Sequence, residues 1–366
     1  LYKKFFGDIK TIKSKCHFTT HTPVSAGHDH FSVKRVKKIL SDLIPNDLKL
    51  PSLVKNERFH MTELGLFFSQ SANGVSRLHG KVAQAQFPWT NIDYITNGVH
   101  HSYWMSNPLK RIFDKYLFGW KKNPKLLLGV DNIPDQELWQ AHFERKKYLL
   151  GYVNSHVSNT LDANTLTIGF ARRSATYKRA QLIFNDMNRL DLIGRDKIQI
   201  IFSGKAHPND QDGKKLIRQI ISKSKLMFGK VKIIFLENYN MWLGRLITSG
   251  VDVWLNTPLR PNEASGTSGM KATLNGIPNL SVLDGWWEEG YKKNINGWAI
   301  GDPKNPNDNK DAQHLYSILE DKVIPTFYND RKQWIFMMKE SIKTGIKFTA
   351  HRMIQDYDRE YYKLGE

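Results

Sequence analysis

This sequence predicts an α/β protein with a parallel sheet in its second half, on three observations. From about residue 165, short apolar runs rich in β-branched residues alternate with helical segments: TLTIGF, KIQIIFSG, VKIIFLE, VDVWLN and PNLSVL. The runs are almost continuously apolar, as strands are when both faces of a sheet are covered by helical crossovers. The length, 366 residues, suits two domains of ordinary size.

Taken in order, Cys16 to Thr20 (CHFTT) reads as a short buried strand that delivers HTPVSAGHDH onto a loop. Residues 34–44 (KRVKKILSDLI) carry apolar positions at helical spacing. Residues 59–86 read as helical with a break around Asn73-Gly74. IDYITNGVH reads as a strand and then a turn, because Asn97-Gly98 is a strong turn signal. The stretch 120–135 is rich in Lys, Asn and Pro, so a domain boundary is expected there. Leu138, Trp139, His142 and Phe143 mark the next helix. After the alternating region, AQHLYSILEDKVI and QWIFMMKESIKTGI read as helices, with the tail packing back on the first domain. No repeat of solenoid period is present.

Composition narrows the function classes. Apolar residues at 40% and aromatic residues at 12% support packed cores and argue against disorder. No apolar run approaches the roughly 20 residues a membrane helix needs, so no membrane partner is expected. A single cysteine, Cys16, excludes disulfides within the chain and cysteine-built metal cages, and fits a reducing compartment. The net charge is +19, but the lysines are spread through segments such as KKNPK, KKNIN and KNPNDNK. There is no basic stripe interleaved with stacking aromatics, so the charge reads as solvated surface and no nucleic-acid partner is expected. The chain opens on Leu1, and LYKKFFGDIK reads as the interior of something longer, so a targeting signal could not be seen from here.

In parallel sheets, ligands sit at the carboxyl ends of the strands. The unusual residues of this sequence cluster there: Arg172-Arg173, Gly204-Lys205, Glu237-Asn238-Tyr239 and PNEASGTSGMK. The strongest signal is Glu263-Ala-Ser-Gly-Thr-Ser-Gly-Met-Lys271. Small residues from Ala264 to Gly269 let backbone approach a ligand, and a helix beginning there would aim free N–H groups and its positive end at an anion. Thr267 and Ser268 add hydroxyl donors, and Lys271 lies within one turn of them. A lysine beside a phosphate cradle either neutralises phosphate or forms a Schiff base. The plain alternative is a Gly/Ser-rich turn before a helix, and the order of residues is not that of a P-loop.

A second cluster, Arg172-Arg173-x-x-x-Tyr177-Lys178-Arg179, puts four cations at a strand end, where they could hold one or two phosphates or simply open a solvated helix. His21, in FTTHTP, is a third candidate, although a lone histidine is more often structural. His17, His28 and His30 lie nearby, but no second ligand pair at a familiar spacing accompanies them and no metal is expected. Asn97 and Trp104 form the fourth candidate, with a turn and a core tryptophan as the bland reading.

NEASGTSGMKATLNG closely resembles the cofactor segment of the α-glucan phosphorylases, and SVLDGWWEEGY and NGWAIG look like the short bacterial and archaeal branch of that family. The animal and plant branch has Asn-Met where this chain has Gly269-Met270. FLENY and SGKAHP also match, and the matches run in the family's order from about residue 16 to 301. The resemblance implies a pyridoxal 5'-phosphate enzyme that cleaves α-1,4-glucan or maltodextrin with inorganic phosphate, giving glucose 1-phosphate with retention. Lys271 would hold the cofactor, with Thr267, Ser268, Arg172, Tyr239 and Trp104 around it. The family often has Lys at the Arg172 position. Arg173 and Lys178 would hold the substrate phosphate and Lys205 would lie near the phosphates. His21 would contact the sugar at the reacting centre, and Asn97, Glu263, Ser265 and Gly266 would lie on the substrate side.

The implied fold is two Rossmann-like domains of the GT-B glycosyltransferase type, the first one incomplete. Residues 1–125 would be the end of the glucan-side domain, 126–345 the pyridoxal-phosphate domain, and 346–366 a helix crossing back. The chain looks like a C-terminal half, since the family's N-terminal Gly-rich loop is not found in it; the resemblance implies a cytoplasmic location and leaves a homo-oligomer open. Two other readings remain. One is a nucleotide-sugar glucosyltransferase of the same architecture, which would need no Schiff base. The other is a non-catalytic glucan-binding fragment, although most of the ten tryptophans read as core. A glycosidase would need two opposed carboxylates, and no compelling pair is present.

Overall fold

The computed structural model describes residues 8–40, 54–157 and 160–364. The chain divides into two units: one takes the described residues up to Thr96, Pro261–Ser265 and the tail from Gln355, the other Asn97–Arg260 and Gly266–Ile354.

In the first unit, β1 (His17–Thr19), β5 (Ser71–Gly74) and β6 (Ile92–Tyr94) form a parallel sheet in the order β1-β5-β6. A small antiparallel sheet of β2 (His30–Ser32), β3 (Val54–Lys55) and β4 (Arg58–His60) lies in the order β2-β4-β3. The helix Val33–Leu40 covers the start of the expected 34–44 helix, and the remainder lies outside the described residues. Residues 59–86 are not helical throughout. Helices Met61–Phe67 and Arg77–Gln86 flank the strand β5, whose Ala72, Asn73 and Gly74 are buried. Pairing with β1 and β6 on both sides overrides the local helical pattern there. His17 donates to or accepts from Ser71 Oγ at 2.8 Å and Asn73 Oδ1 at 2.7 Å, and stacks on Tyr361 at 4.0 Å, which fixes the tail on this unit.

The second unit holds six parallel strands: β7 (Leu166–Ala171), β8 (Ile198–Ser203), β9 (Lys232–Leu236), β10 (Val253–Asn256), β11 (Asn279–Val282) and β12 (Gly297–Ile300). Their order is β12-β11-β10-β7-β8-β9. Read from the other edge, this is the doubly wound order in which the chain reverses direction between its first and fourth strands. Five of the strands lie where the apolar runs predicted them. The sixth, β12, falls in NGWAIG, too short and too glycine-rich to stand out.

The division of the units falls before Asn97, earlier than the Lys/Asn/Pro-rich stretch at 120–135. Val99, Met105, Leu109, Phe113, Trp120, Leu127 and Val130 are buried in the same core as the six strands, so that stretch is a polar surface over an apolar floor. Composition registers the exposed residues and misses the floor beneath them. Likewise, the tail leaves the second unit only after Ile354, rather than at 346.

Asn97-Gly98 is not a turn. Val99 forms a parallel bridge with Thr349, and a Cβ on Gly98 would lie 2.2 Å from Thr349 O. The glycine permits that close approach of two backbones. Helix Asp135–Asn154 lies where Leu138, Trp139, His142 and Phe143 predicted it. It is pinned to the sheet by buried Asp252, which accepts from His142 Nε2 at 2.8 Å, Lys146 Nζ at 2.5 Å and Thr167 N at 2.7 Å.

Candidate active site

β7 and β10 are the neighbouring strands from which the chain departs in opposite directions, so a crevice is expected at their carboxyl ends. Arg172 follows the last residue of β7, and its guanidinium donates to Asn256 Oδ1 at the last residue of β10. Arg172, Arg173, Ser174 and Lys178 line one small cleft with Phe170 and Ser203. Arg173 is exposed, whereas Lys178 is buried, with its amine 4.4 Å from the Tyr177 ring centroid. Lys205, after β8, is exposed, and its carbonyl accepts from Ser174 N at 2.9 Å, which ties the two loops together.

The fourth cation of the cluster has a different job. Arg179 adopts φ +45° and is buried. It donates from Nε to Thr257 O at 3.0 Å and from Nη2 to Pro258 O at 2.9 Å. It also pairs with Asp308 and with buried Asp311, both at 2.8 Å. Arg179 therefore clamps the loop after β7 to the loop after β10, leaving Arg172, Arg173 and Lys178 as the cations of the cleft.

The loop after β10 leads into the helix Thr267–Thr273. Gly266 caps it at φ +87°, in the left-handed region that a side chain rarely adopts, and no side chain caps its N–H groups. Ser268 Oγ is buried without a hydrogen-bond partner among the described residues, as is Ser265 Oγ. One turn on, the amine of Lys271 stands 3.6 Å from the centroid of the Trp104 ring. Burial pushes this amine down to about 8 from the ordinary lysine value of 10.5. Its neutral form, the nucleophilic one, is thus far more accessible near neutral pH than that of a surface lysine.

Trp104 is brought there by a residue the sequence reading passed over. Asn275 is buried, and its Nδ2 donates to Trp104 O at 3.0 Å and Lys271 O at 2.9 Å, while its Oδ1 accepts from Ser106 N at 2.8 Å. One amide side chain thus sets the register between the helix that carries Lys271 and the segment that carries Trp104. Arg245 adds a second tie, donating to Met105 O at 3.1 Å. The available signal was Asn275-Gly276 at the end of the motif, since a buried asparagine must have its hydrogen bonds met.

Tyr239, after β9, packs its hydroxyl against Gly244. Burial raises its pKa, and the opposing charge is that of Arg172, so these two expected cofactor neighbours share one environment. Asn97 belongs to the second unit, and its carbonyl accepts from Arg352 at 3.0 Å. His21, Glu263 and Ser265 belong to the first unit. His21 is exposed on the loop after β1, and Glu263 and Ser265 are buried. The motif itself therefore crosses between the units at Ser265 and Gly266. The other histidines raised by the sequence have ordinary partners: His28 meets Thr62 Oγ1 at 2.9 Å and His30 meets His28 O at 3.1 Å.

Residues 12–289 match the family model described as carbohydrate phosphorylase. This chain belongs to the carbohydrate phosphorylase family. It is 43% identical to a maltodextrin phosphorylase of Thermococcus litoralis, over 98% of this chain and 47% of that protein. It is 37% identical to a glycogen phosphorylase of Aquifex aeolicus, over 97% of this chain and 58% of that protein. A glycogen phosphorylase of Mycobacterium tuberculosis is 35% identical, with 97% of this chain and 47% of that protein covered. The chain spans about half the length of these phosphorylases.

Proposed function

We propose that this chain supplies the cofactor and phosphate side of an α-glucan phosphorylase, which converts terminal α-1,4-linked glucose and inorganic phosphate to glucose 1-phosphate with retention. The observation that carries the reading is the Lys271 amine, lowered to about 8 by burial and seated over Trp104 within a turn of the unpartnered Ser268 hydroxyl. A primary amine of that kind next to a cradle of small residues fits pyridoxal phosphate. Lys271 would hold the cofactor's aldehyde carbon, Thr267, Ser268 and Arg172 its phosphate, and Tyr239 and Trp104 would flank its ring. When bound, the cofactor supplies an acid–base phosphate group beside the substrate phosphate.

The chain's own residues do the positioning. Arg173 and Lys178 would hold the substrate phosphate through charge-assisted bonds, with Lys205 adding charge nearby. His21, Asn97, Glu263, Ser265 and Gly266 would orient the sugar, so that reactants meet without paying the full entropy of encounter. Cations dominate the cleft after β7 because the reaction develops charge on phosphate oxygens, where a glycosidase would place opposed carboxylates. The reading includes a GT-B architecture, supported by the doubly wound strand order of the second unit, and a cytoplasmic location, which follows the family. Among the described residues, no helix is long and apolar enough to cross a membrane.

Borohydride reduction of the chain after incubation with pyridoxal phosphate tests the assignment by mass spectrometry. A pyridoxyl group on Lys271 is expected. Labelling spread over other lysines, with Lys271 unmodified, would overturn it and favour a nucleotide-sugar transferase.

A further inference from the structure

A second cavity, of about 620 Å³, opens in the second unit between the helices Asn107–Tyr116, Asp135–Asn154 and Met241–Gly250. None of the residues assigned above to cofactor or substrate lines it. Its charges are unbalanced. Arg111 is answered by Glu144, with both carboxylate oxygens accepting from Nη2 at 2.8 and 2.7 Å. Among the described residues, Arg145 and Arg245 have no carboxylate partner. Arg145 Nε donates to Ser249 Oγ at 2.7 Å, and Arg245 Nη2 donates to Met105 O and to Asn107 Oδ1 at 3.0 Å. Arg245 Nε is buried with no partner. The two guanidiniums are close enough to repel: burial first, and then the charge of Arg245, push Arg145 down to about 10.

Two like charges held together in a concavity cost stability unless an anion joins them. The same cavity exposes two flat rings, Tyr148 at 60% and Trp242 at 47% of their surfaces. The Arg145 guanidinium lies 5.4 Å from the Tyr148 centroid, and the Trp242 ring is held edge-on to Tyr152 at 4.8 Å. A volume of this size suits a small organic ligand rather than a bare ion.

We propose that this cavity binds a phosphate monoester with a flat apolar body, its phosphate bridging Arg145 and Arg245 and its body lying on Trp242 and Tyr148. A dianion matches the two unanswered guanidiniums, with exposed Lys147 adding positive charge to the same lining, and guanidinium forks suit phosphate oxygens. The rings give the apolar part a surface with little entropy to lose. The site is separate from the cleft after β7 and does not rest on the pyridoxal phosphate reading.

The test uses phenyl phosphate on the full chain carrying Arg173→Gln, which weakens the cleft after β7 and isolates this cavity. Saturable binding is expected, with a change in tryptophan fluorescence that Trp242→Phe removes. Adding Arg145→Gln is expected to weaken binding about tenfold or more, the loss of one charge-assisted contact. Without ligand, the same substitution should raise the melting temperature, because it relieves the repulsion. That opposite pair of effects is one that a merely misfolded variant would not give. Absence of saturable binding, an affinity indifferent to Arg145→Gln, or a fluorescence change that survives Trp242→Phe would each overturn the proposal.

Discussion

Removing the Asn275 side chain separates two roles that the structure joins. Asn275→Ala deletes hydrogen bonds to Trp104 O, Lys271 O and Ser106 N, all at 2.8 to 3.0 Å. Asn275 is 4% exposed, so the three backbone groups lose their partners inside the protein. At about 1 kcal/mol or more for each buried group left unmet, the fold should lose about 3 kcal/mol, less whatever an entering water restores. The larger consequence concerns Lys271. Its amine is lowered to about 8 by burial, and Trp104 supplies part of that cover. Freed from its register, Trp104 would admit water, and the amine should climb back toward 10.5. Only the neutral amine attacks an aldehyde, so its reactivity rises as pH passes upward through its pKa and then levels off. The assay is the pH dependence of pyridoxyl labelling at Lys271, read by mass spectrometry after brief exposure and reduction. The parent should reach half its maximum near pH 8 and level off about a unit above, whereas Asn275→Ala should still be rising there. Leu319→Ala, at a wholly buried position elsewhere in the core, serves as the control for lost stability. If Asn275→Ala keeps the midpoint of the parent, or if Leu319→Ala moves it equally, Asn275 is a packing residue and the positioning argument fails.

Two further outcomes follow from the division of labour among the cations. Arg173→Gln and Lys178→Gln should each weaken phosphate use about tenfold or more in an assembled phosphorylase while leaving Lys271 open to labelling; unchanged phosphate kinetics would remove both from the substrate site. Arg179→Met should instead cost about 3–5 kcal/mol in denaturant unfolding, because Asp311, 1% exposed, loses its cation. A near-neutral result there would mean that the clamp between the two loops is dispensable.

Much of the second unit was legible because its signals are local. Five apolar runs of near-continuous hydrophobicity became five of the six strands, and the candidate ligand-binding loops follow the carboxyl ends of those strands. Six of the ten tryptophans are buried, as expected of core residues: Trp120, Trp254, Trp286, Trp287, Trp298 and Trp334. The misreadings have a common cause in partners distant along the chain. SANG is a strand flanked by β1 and β6, and Asn97-Gly98 leads into the bridge of Val99 with Thr349 instead of turning. Arg179 looks like its three neighbours in sequence until Asp308 and Asp311 arrive from more than a hundred positions away. Asn275 was in full view inside the motif, yet its role depends on Trp104 and Ser106, which no spacing rule connects to it.

Unit membership separates the chemistry into two parts. Lys271, Trp104, Asn275, Arg172, Tyr239, Thr267 and Ser268 all belong to the second unit, whereas His21, Glu263 and Ser265 belong to the first. Lys271, with its amine lowered by burial, and the buried Ser268 Oγ thus belong to the unit that holds the large core. On the proposed reading, capture of an aldehyde-bearing phosphate at Lys271 draws on residues of that unit. Phosphorolysis requires in addition that sugar and phosphate be held in a reactive pose, and positioning of that kind supplies several kcal/mol of the barrier reduction, on the order of 7–11 in well-oriented systems. The chain spans about half the length of these relatives, so the two properties call for separate tests. Labelling at Lys271 and turnover of maltodextrin are then separate observables, and only the first reports on the site built by these residues.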